Sequence, residues 1–227
     1  MSLQYCSFYN TYDNYKIKDF TIYGERHTGT KWLKEVISKN FNLPITQRYD
    51  HKHFFGMCDW KTLNKAHNTL FIGIIRNPYS WIRGMMKIPY HLKTNDVLNI
   101  SPWISYNCPK DLRWYDKKYF TDIFDLRYHK GTFLLDYMPY LVDNYIFLRY
   151  EDLISTFDEI LEIIAKKYNL IRSKCKNNPD RSKLNIYVSK KHLGEINKRT
   201  NWSFEQRIGY SKQSIIGVDS NETCAIM

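Results

Sequence analysis

Residues 19–32 read DFTIYGERHTGTKW, and the change of character within them decides the fold. Asp19–Gly24 is a short β-type run that ends in glycine. From Thr30 to Asn40 the period becomes helical, with Trp32, Leu33, Val36 and Ile37 on one face. Between them lies a turn, Gly24 to Gly29, carrying Arg26, His27 and Thr28, with Thr30 and Lys31 just beyond. A strand that feeds a glycine-bounded loop and then a helix can cradle an anion on the free N–H groups at the helix start.

Working outward, Thr69–Ile75 (TLFIGII) is apolar on both faces, as a buried parallel strand requires. Pro78 suits the first turn of the helix that follows Arg76. Residues 121–138 read as a helix despite Gly131. Asn144–Arg149 (NYIFLR) is a third buried strand, and Phe157, Ile160, Leu161, Ile164 and Tyr168 mark a helix over Ser155–Tyr168. Residues 169–190 read as a polar loop. Strands alternating with helices predict an α/β fold with a mostly parallel sheet, whose ligands bind at the carboxyl ends of the strands. Gly24 and Arg76 both fall there.

Composition narrows the classes. The chain has 227 residues, 43% apolar and 25% charged, which suits one globular domain rather than a disordered chain. We read residues 1–18 as an N-terminal extension, 19–212 as that domain and 213–227 as a flexible tail. The longest uncharged apolar run, Leu70 to Ile75, is far short of the roughly 20 residues of a membrane span. The start lacks a secretory pattern, and five scattered cysteines with no CxxC argue against a disulfide framework. A cytoplasmic location is expected. The net charge is +11, and residues 171–212 hold eleven basic against three acidic side chains. That excess suits nucleic acid, an acidic membrane face or a polyanionic ligand, and charge does not choose among them.

The spacing GxxxxG of Gly24 and Gly29 matches a P-loop, but a triphosphate P-loop continues GK[ST], whereas here the order is Gly29-Thr30-Lys31. Three basic and two hydroxyl residues in one turn exceed what helix capping needs. Arg76 stands at a strand end where magnesium-dependent phosphoryl transfer wants an Asp; an arginine there attracts a phosphate instead. His51 and His53 in Asp50–Phe55 (DHKHFF) would share a face if the segment were a strand. With Cys58 they could begin a metal site, although no third ligand has the spacing. A general-base histidine beside Lys52 is the other chemistry.

GERHTGTKW after a strand, then KHFF, IIRNPYSW and LRYEDL, in that order, resemble a sulfotransferase of the small microbial or viral type. The resemblance spans about Phe20 to Tyr210. It implies a P-loop-like three-layer α/β fold, with the sheet flanked by helices. It also implies an enzyme that uses 3′-phosphoadenosine 5′-phosphosulfate (PAPS) as co-substrate, without metal. The family's phosphosulfate loop, PKSGTTW, falls on Arg26, His27, Thr28, Gly29, Thr30, Lys31 and Trp32. His27 replaces the usual lysine, so Arg26 or Lys31 becomes the loop cation. The resemblance assigns Trp32 to stacking on adenine, Arg76 to the 3′-phosphate, Tyr150 to the adenine amino group and His53 to the catalytic base, beside Lys52. The family's partner serine falls on Gly84, and Ser80, one turn earlier, can substitute. The basic stretch after Ile171 matches the segment that closes over the nucleotide, without its glycines.

These residues imply transfer of a sulfuryl group to a hydroxyl or amine acceptor, with Lys31, Lys52 and His53 as the catalytic set. The acceptor is not legible; its loops fall within residues 86–120. The alternatives are a P-loop nucleotide or small-molecule kinase and a non-catalytic nucleotide- or nucleic-acid-binding protein. The last four residues, Cys224 to Met227, fit a C-a-a-X pattern, which makes Cys224 a candidate lipid anchor for peripheral membrane association.

Overall fold

The computed structural model describes residues 4–10, 16–53, 55–87, 112–113, 115–173, 186–188, 190–213 and 224–226. Most of the expected acceptor loops, part of the basic stretch after Ile171, and residues 214–223 of the tail lie outside the described residues. The chain divides into two compact units, Met1–Ile75 with Lys130–Pro179, and Arg76–His129 with Asp180–Met227.

The first unit holds a four-stranded sheet of order β1-β4-β3-β2. Its strands are β1 (Ser7–Asn10), β2 (Asp19–Tyr23), β3 (Thr69–Ile75) and β4 (Asn144–Arg149). Strands β2, β3 and β4 are parallel, and β1 runs antiparallel along β4. All seven residues of β3 are buried, which is why its sequence is apolar without alternation. Helix α1 (Thr30–Phe41) follows β2 and packs on it; α2 (Trp60–Leu63) is a single turn. Beyond the sheet's other strands come α6 (Tyr150–Ser155), against β4, and α7 (Phe157–Lys167), against β1. The architecture is mixed α/β with a mostly parallel sheet flanked by helices, as the alternation of elements predicts.

One isolated parallel bridge, Phe20 to Ile45, has a functional consequence. The Phe20 amide donates to Pro44 O at 3.1 Å and the Thr46 amide to Phe20 O at 2.8 Å. The chain therefore leaves β2, passes through α1 to a rudimentary strand on one side, and returns to β3 on the other. That reversal is the topological switch point at which α/β sheets bind ligands. It lies at β2, whose carboxyl end carries the Gly24 loop.

The helical run expected over residues 121–138 is present but interrupted, its first part being α4 (Ile123–Thr132). A π-helical turn, Phe133–Tyr137, and a short α5 (Met138–Leu141) follow it. Proline supplies the reason. In the π turn the Met138 amide reaches back five residues to Phe133 O. The next amide in that register belongs to Pro139, which has no N–H, so Leu134 O is left for another donor. The buried Tyr145 hydroxyl supplies it, at 2.7 Å. The helix expected over Ser155–Tyr168 is present as α7, Phe157–Lys167; Thr156 separates it from α6, its amide and hydroxyl both donating to Asp152 O at 2.8 and 2.9 Å. Strand β1 escapes a sequence reading because four residues, SFYN, carry no periodicity.

The second unit contains α3 (Pro78–Lys87), β5 (Ile186–Val188), α8 (Lys190–Arg199), α9 (Trp202–Arg207) and β6 (Cys224–Ile226). Asn77 caps α3, its side chain accepting from the Tyr79 amide at 3.0 Å. Trp81, Ile82 and Met85 of α3 pack with Phe124, Leu193 and Ile196. Strand β6, within the stretch read as a tail, pairs antiparallel with β5. No helix among the described residues is long and apolar enough to cross a membrane.

Gly73 of β3 is small because Tyr145 needs the space: an added Cβ would land on the tyrosine hydroxyl, 3.1 Å from Cζ. Gly73→Ala should therefore cost about 1–3 kcal/mol by overpacking, read as a lower melting temperature. In a Tyr145→Phe background the added cost should shrink. Equal costs in both backgrounds would exclude the steric cause.

Candidate functional site

Gly24 joins two segments that the sequence separates. Its amide donates to Lys52 O at 2.9 Å. Its carbonyl accepts from Nδ1 of His53 at 2.7 Å. A carbonyl oxygen cannot donate, so the ring proton sits on Nδ1, and Nε2 is left as the basic nitrogen. The segment around His53 is a turn and not a strand, so the shared face that a strand would give His51 and His53 does not form. Instead the two rings meet edge-on with centroids 5.4 Å apart, and the His53 amide donates to Nδ1 of His51 at 3.4 Å.

Burial pushes His53 down to about 3, and the positive charges of Arg26 and Lys52 and the neighbouring His51 add to the effect against the Gly24 hydrogen bond. The imidazole is neutral at physiological pH and able to accept a proton. Lys52 is also held below the ordinary lysine value, by burial first and then by the charges of Lys34, Lys31 and Arg26. Four cations thus share one electrostatic neighbourhood. Lys34 escaped the sequence reading. The available signal was its position three residues after Lys31, which puts both on the exposed side of α1.

The loop itself is set by two left-handed residues, His27 at φ 65° and Gly29 at φ 94°. Gly29 has a second reason to be glycine: a Cβ there would lie 2.6 Å from Cε2 of Tyr150. The Thr28 hydroxyl donates to Glu25 O at 2.6 Å and so closes the turn. Thr30 opens α1 without a side-chain cap or an acidic residue in its first turn. Lys31 lies at the helix end where the macrodipole disfavours cations and favours anions. Trp32 is half-buried and meets Tyr150 edge-on at 6.0 Å and Phe157 at 6.0 Å.

The structure brings Arg26, Lys31, Trp32, Lys52, His53 and Tyr150 to the carboxyl end of the sheet in the first unit. Arg76 and Ser80 belong to the second. Arg76 directly follows β3, and its carbonyl accepts from Nη2 of Arg127 at 2.8 Å. Arg127 is itself buried, paired with Glu205 at 2.5 and 2.8 Å. Ser80 is buried, and its Oγ has no hydrogen-bond partner among the described residues; Gly84 is half-buried. Cys58 belongs to a different local arrangement: its amide, with that of Met57, donates to Asp50 Oδ2 at 2.7 and 2.8 Å. Among the described residues no three His, Cys, Asp or Glu side chains converge as metal ligands.

A second residue pair went unseen in the sequence. Lys130, at the end of α4, is buried with its ammonium 2.8 Å from Oε1 of Glu25 and 2.5 Å from the His53 carbonyl. The partners stand 105 positions apart, so no local pattern announces them.

No protein-family model matches the chain, and no curated protein matches it in sequence. Among solved structures, a mouse sulfotransferase crystallised with PAP matches 92% of this chain and 76% of its own, at 15% identity and a TM-score of 0.36. A match of that size leaves the chemistry of the site to its own side chains.

The folded-state value of His53, about 3, lies below the 6.5 of an unfolded histidine. As pH falls through 6.5 the unfolded chain binds a proton that the folded chain refuses. Stability is therefore lost on acidification over the window from about 6.5 to 3. His53→Gln, which cannot titrate, should flatten that part of a plot of melting temperature against pH. An unchanged slope would show that His53 is not the group responsible.

Proposed function

We propose that the chain transfers a sulfuryl group from PAPS to a hydroxyl acceptor, or to an amine, by in-line displacement. The observation that carries this reading is the Gly24 junction: one residue ties an anion-type loop to a neutral histidine that feels the charges of Arg26 and Lys52, and Lys52 in turn feels those of Lys31 and Lys34. A polyanionic donor and a proton acceptor are what sulfuryl transfer needs in one place.

In this scheme Nε2 of His53 takes the acceptor's proton as the acceptor oxygen attacks sulfur. The bond from sulfur to the bridging phosphate oxygen breaks, and 3′-phosphoadenosine 5′-phosphate (PAP) leaves. Arg26, Lys31 and Lys52, with the backbone N–H groups of residues 29–31, stabilise the charge that builds on the bridging oxygen; the Thr28 amide is already engaged with Glu25 O. The transition state is loose and in line, as in phosphoryl transfer. His27, Thr28, Gly29 and Thr30 shape the loop, Trp32 and Tyr150 receive the adenine, and Arg76 receives the 3′-phosphate. Burial is the first cause of the low affinity of His53 for a proton; donor binding offsets the smaller part due to Arg26 and Lys52. The order Gly29-Thr30-Lys31 and the arginine after β3 both disfavour the kinase alternative.

Calorimetric titration tests the donor. The wild type should bind PAP more tightly than AMP or ADP, by about tenfold to a hundredfold for one charge-assisted pair worth roughly 1.5–3 kcal/mol. Arg76→Ala should erase most of that preference. Equal affinity of the wild type for AMP and PAP would overturn the assignment.

Turnover tests the base. With PAPS and a panel of phenolic and sugar acceptors, His53→Ala should slow PAP release by roughly 10² to 10⁴. His51→Ala should do far less, and equal losses would remove His53 from its role.

A further inference from the structure

His53 is held at both ends, and one of the two restraints comes from residues that the proposed reaction does not use. Lys130 donates to the His53 carbonyl at 2.5 Å and to Oε1 of Glu25 at 2.8 Å. Glu25 is covalently next to Gly24, and Gly24 O accepts from Nδ1 of the same histidine. The contacts close a circuit: the Lys130 ammonium, the Glu25 carboxylate, the Gly24 peptide, the His53 ring, the His53 carbonyl and back to Lys130. Glu25 and Lys130 are 6% and 5% exposed, so the charges are out of water. The Lys130 ammonium also stands 5.4 Å from the centre of the Phe55 ring, which packs on Tyr23 and Phe133.

We propose that Lys130 and Glu25 are positioning residues for His53: together they clamp its main chain to the Gly24 loop, so that its ring stays on Gly24 O in the Nδ1–H tautomer with Nε2 open to the acceptor.

Two arguments favour this over simple packing. A buried ion pair is a weak source of stability, since an apolar pair of similar volume generally does as well or better. Its conservative explanation here would be the Glu25–Lys130 pair alone. Yet Lys130 has a further donor aimed at the peptide that carries the candidate base. In addition, the Gly24 hydrogen bond is the contact that selects the tautomer, and it survives only while the His53 main chain stays in register with the loop. A displacement of about 1 Å at such a group costs on the order of 10² in rate.

The kinetic part rests on the proposed sulfuryl transfer; the tautomer does not. The test is ¹⁵N NMR of the His53 ring in the full chain, beside turnover of PAPS. Wild type should show one neutral tautomer, protonated at Nδ1. Lys130→Met alone would strand the Glu25 charge, so Glu25→Gln with Lys130→Met is the informative variant. It should melt cooperatively, show a second tautomer protonated at Nε2, and lose about 10²-fold in kcat with a much smaller change in KM for PAPS. If the double variant does not fold, Glu25→Gln with Lys130→Gln, which strands neither charge, should still shift the tautomer ratio. A wild-type ring protonated at Nε2, or variant spectra identical to wild type, would overturn the proposal. A wild type that shows the Nδ1–H tautomer but no transfer from PAPS would instead overturn the reaction and leave the clamp standing.

Discussion

Gly24 is the contact on which the site depends, because both of its backbone polar groups serve the segment at Lys52 and His53. The position has no room for a side chain on its β3 side: a Cβ would stand 2.7 Å from Cγ2 of Ile74 and 2.8 Å from both Ile74 O and Oγ1 of Thr28. The end of β2, the neighbouring β3 and the loop turn therefore meet at one residue. The histidine is mounted on the sheet through that residue rather than on a free loop. Its tautomer follows directly from the chemistry of the carbonyl it faces.

Around this junction the protein gathers like charges. Lys52 loses part of its affinity for a proton, first to burial and then to the nearby charges of Lys34, Lys31 and Arg26. Lys31 and Lys34 repel along α1, and Lys31 faces the positive end of the helix dipole. None of this helps folding. Charges gathered at a cost to stability are expected at functional sites. An anion bound here would relieve the repulsion and satisfy the helix start in one event.

Each unit also contains a buried ion pair that holds a backbone carbonyl as well as its counter-ion. Lys130 holds Glu25 and the His53 carbonyl in the first unit. Arg127 holds Glu205 and the Arg76 carbonyl in the second, with its guanidinium over Trp81 at 5.2 Å. In both, a long cation secures the main chain of a residue assigned to the proposed chemistry. The π turn after α4 is another accommodation of the same kind, since Pro139 removes a donor and Tyr145 replaces it from β4.

The local sequence determined the elements that a short-range pattern can encode. The apolar runs at 69–75 and 144–149 are strands with those bounds, and the helical stripe from Thr30 continues to Phe41. The alternation of strands and helices carried the α/β class, and the glycines at 24 and 29 marked the loop. What the sequence left open was settled by contacts between distant positions. The brevity of β1 hid it, and the Ile45 bridge that creates the switch point is a single pair. The DHKHFF segment could be a strand by pattern, whereas Lys52 and His53 form a turn that bonds to Gly24. The sequence named His53 as a candidate base, but its protonated nitrogen and its tie to Lys130 depend on where the backbone carries residues 29 and 77 positions apart. Periodicity records which face is buried. It carries no information about which buried polar group will meet which, because that is fixed by the register and crossing of whole elements.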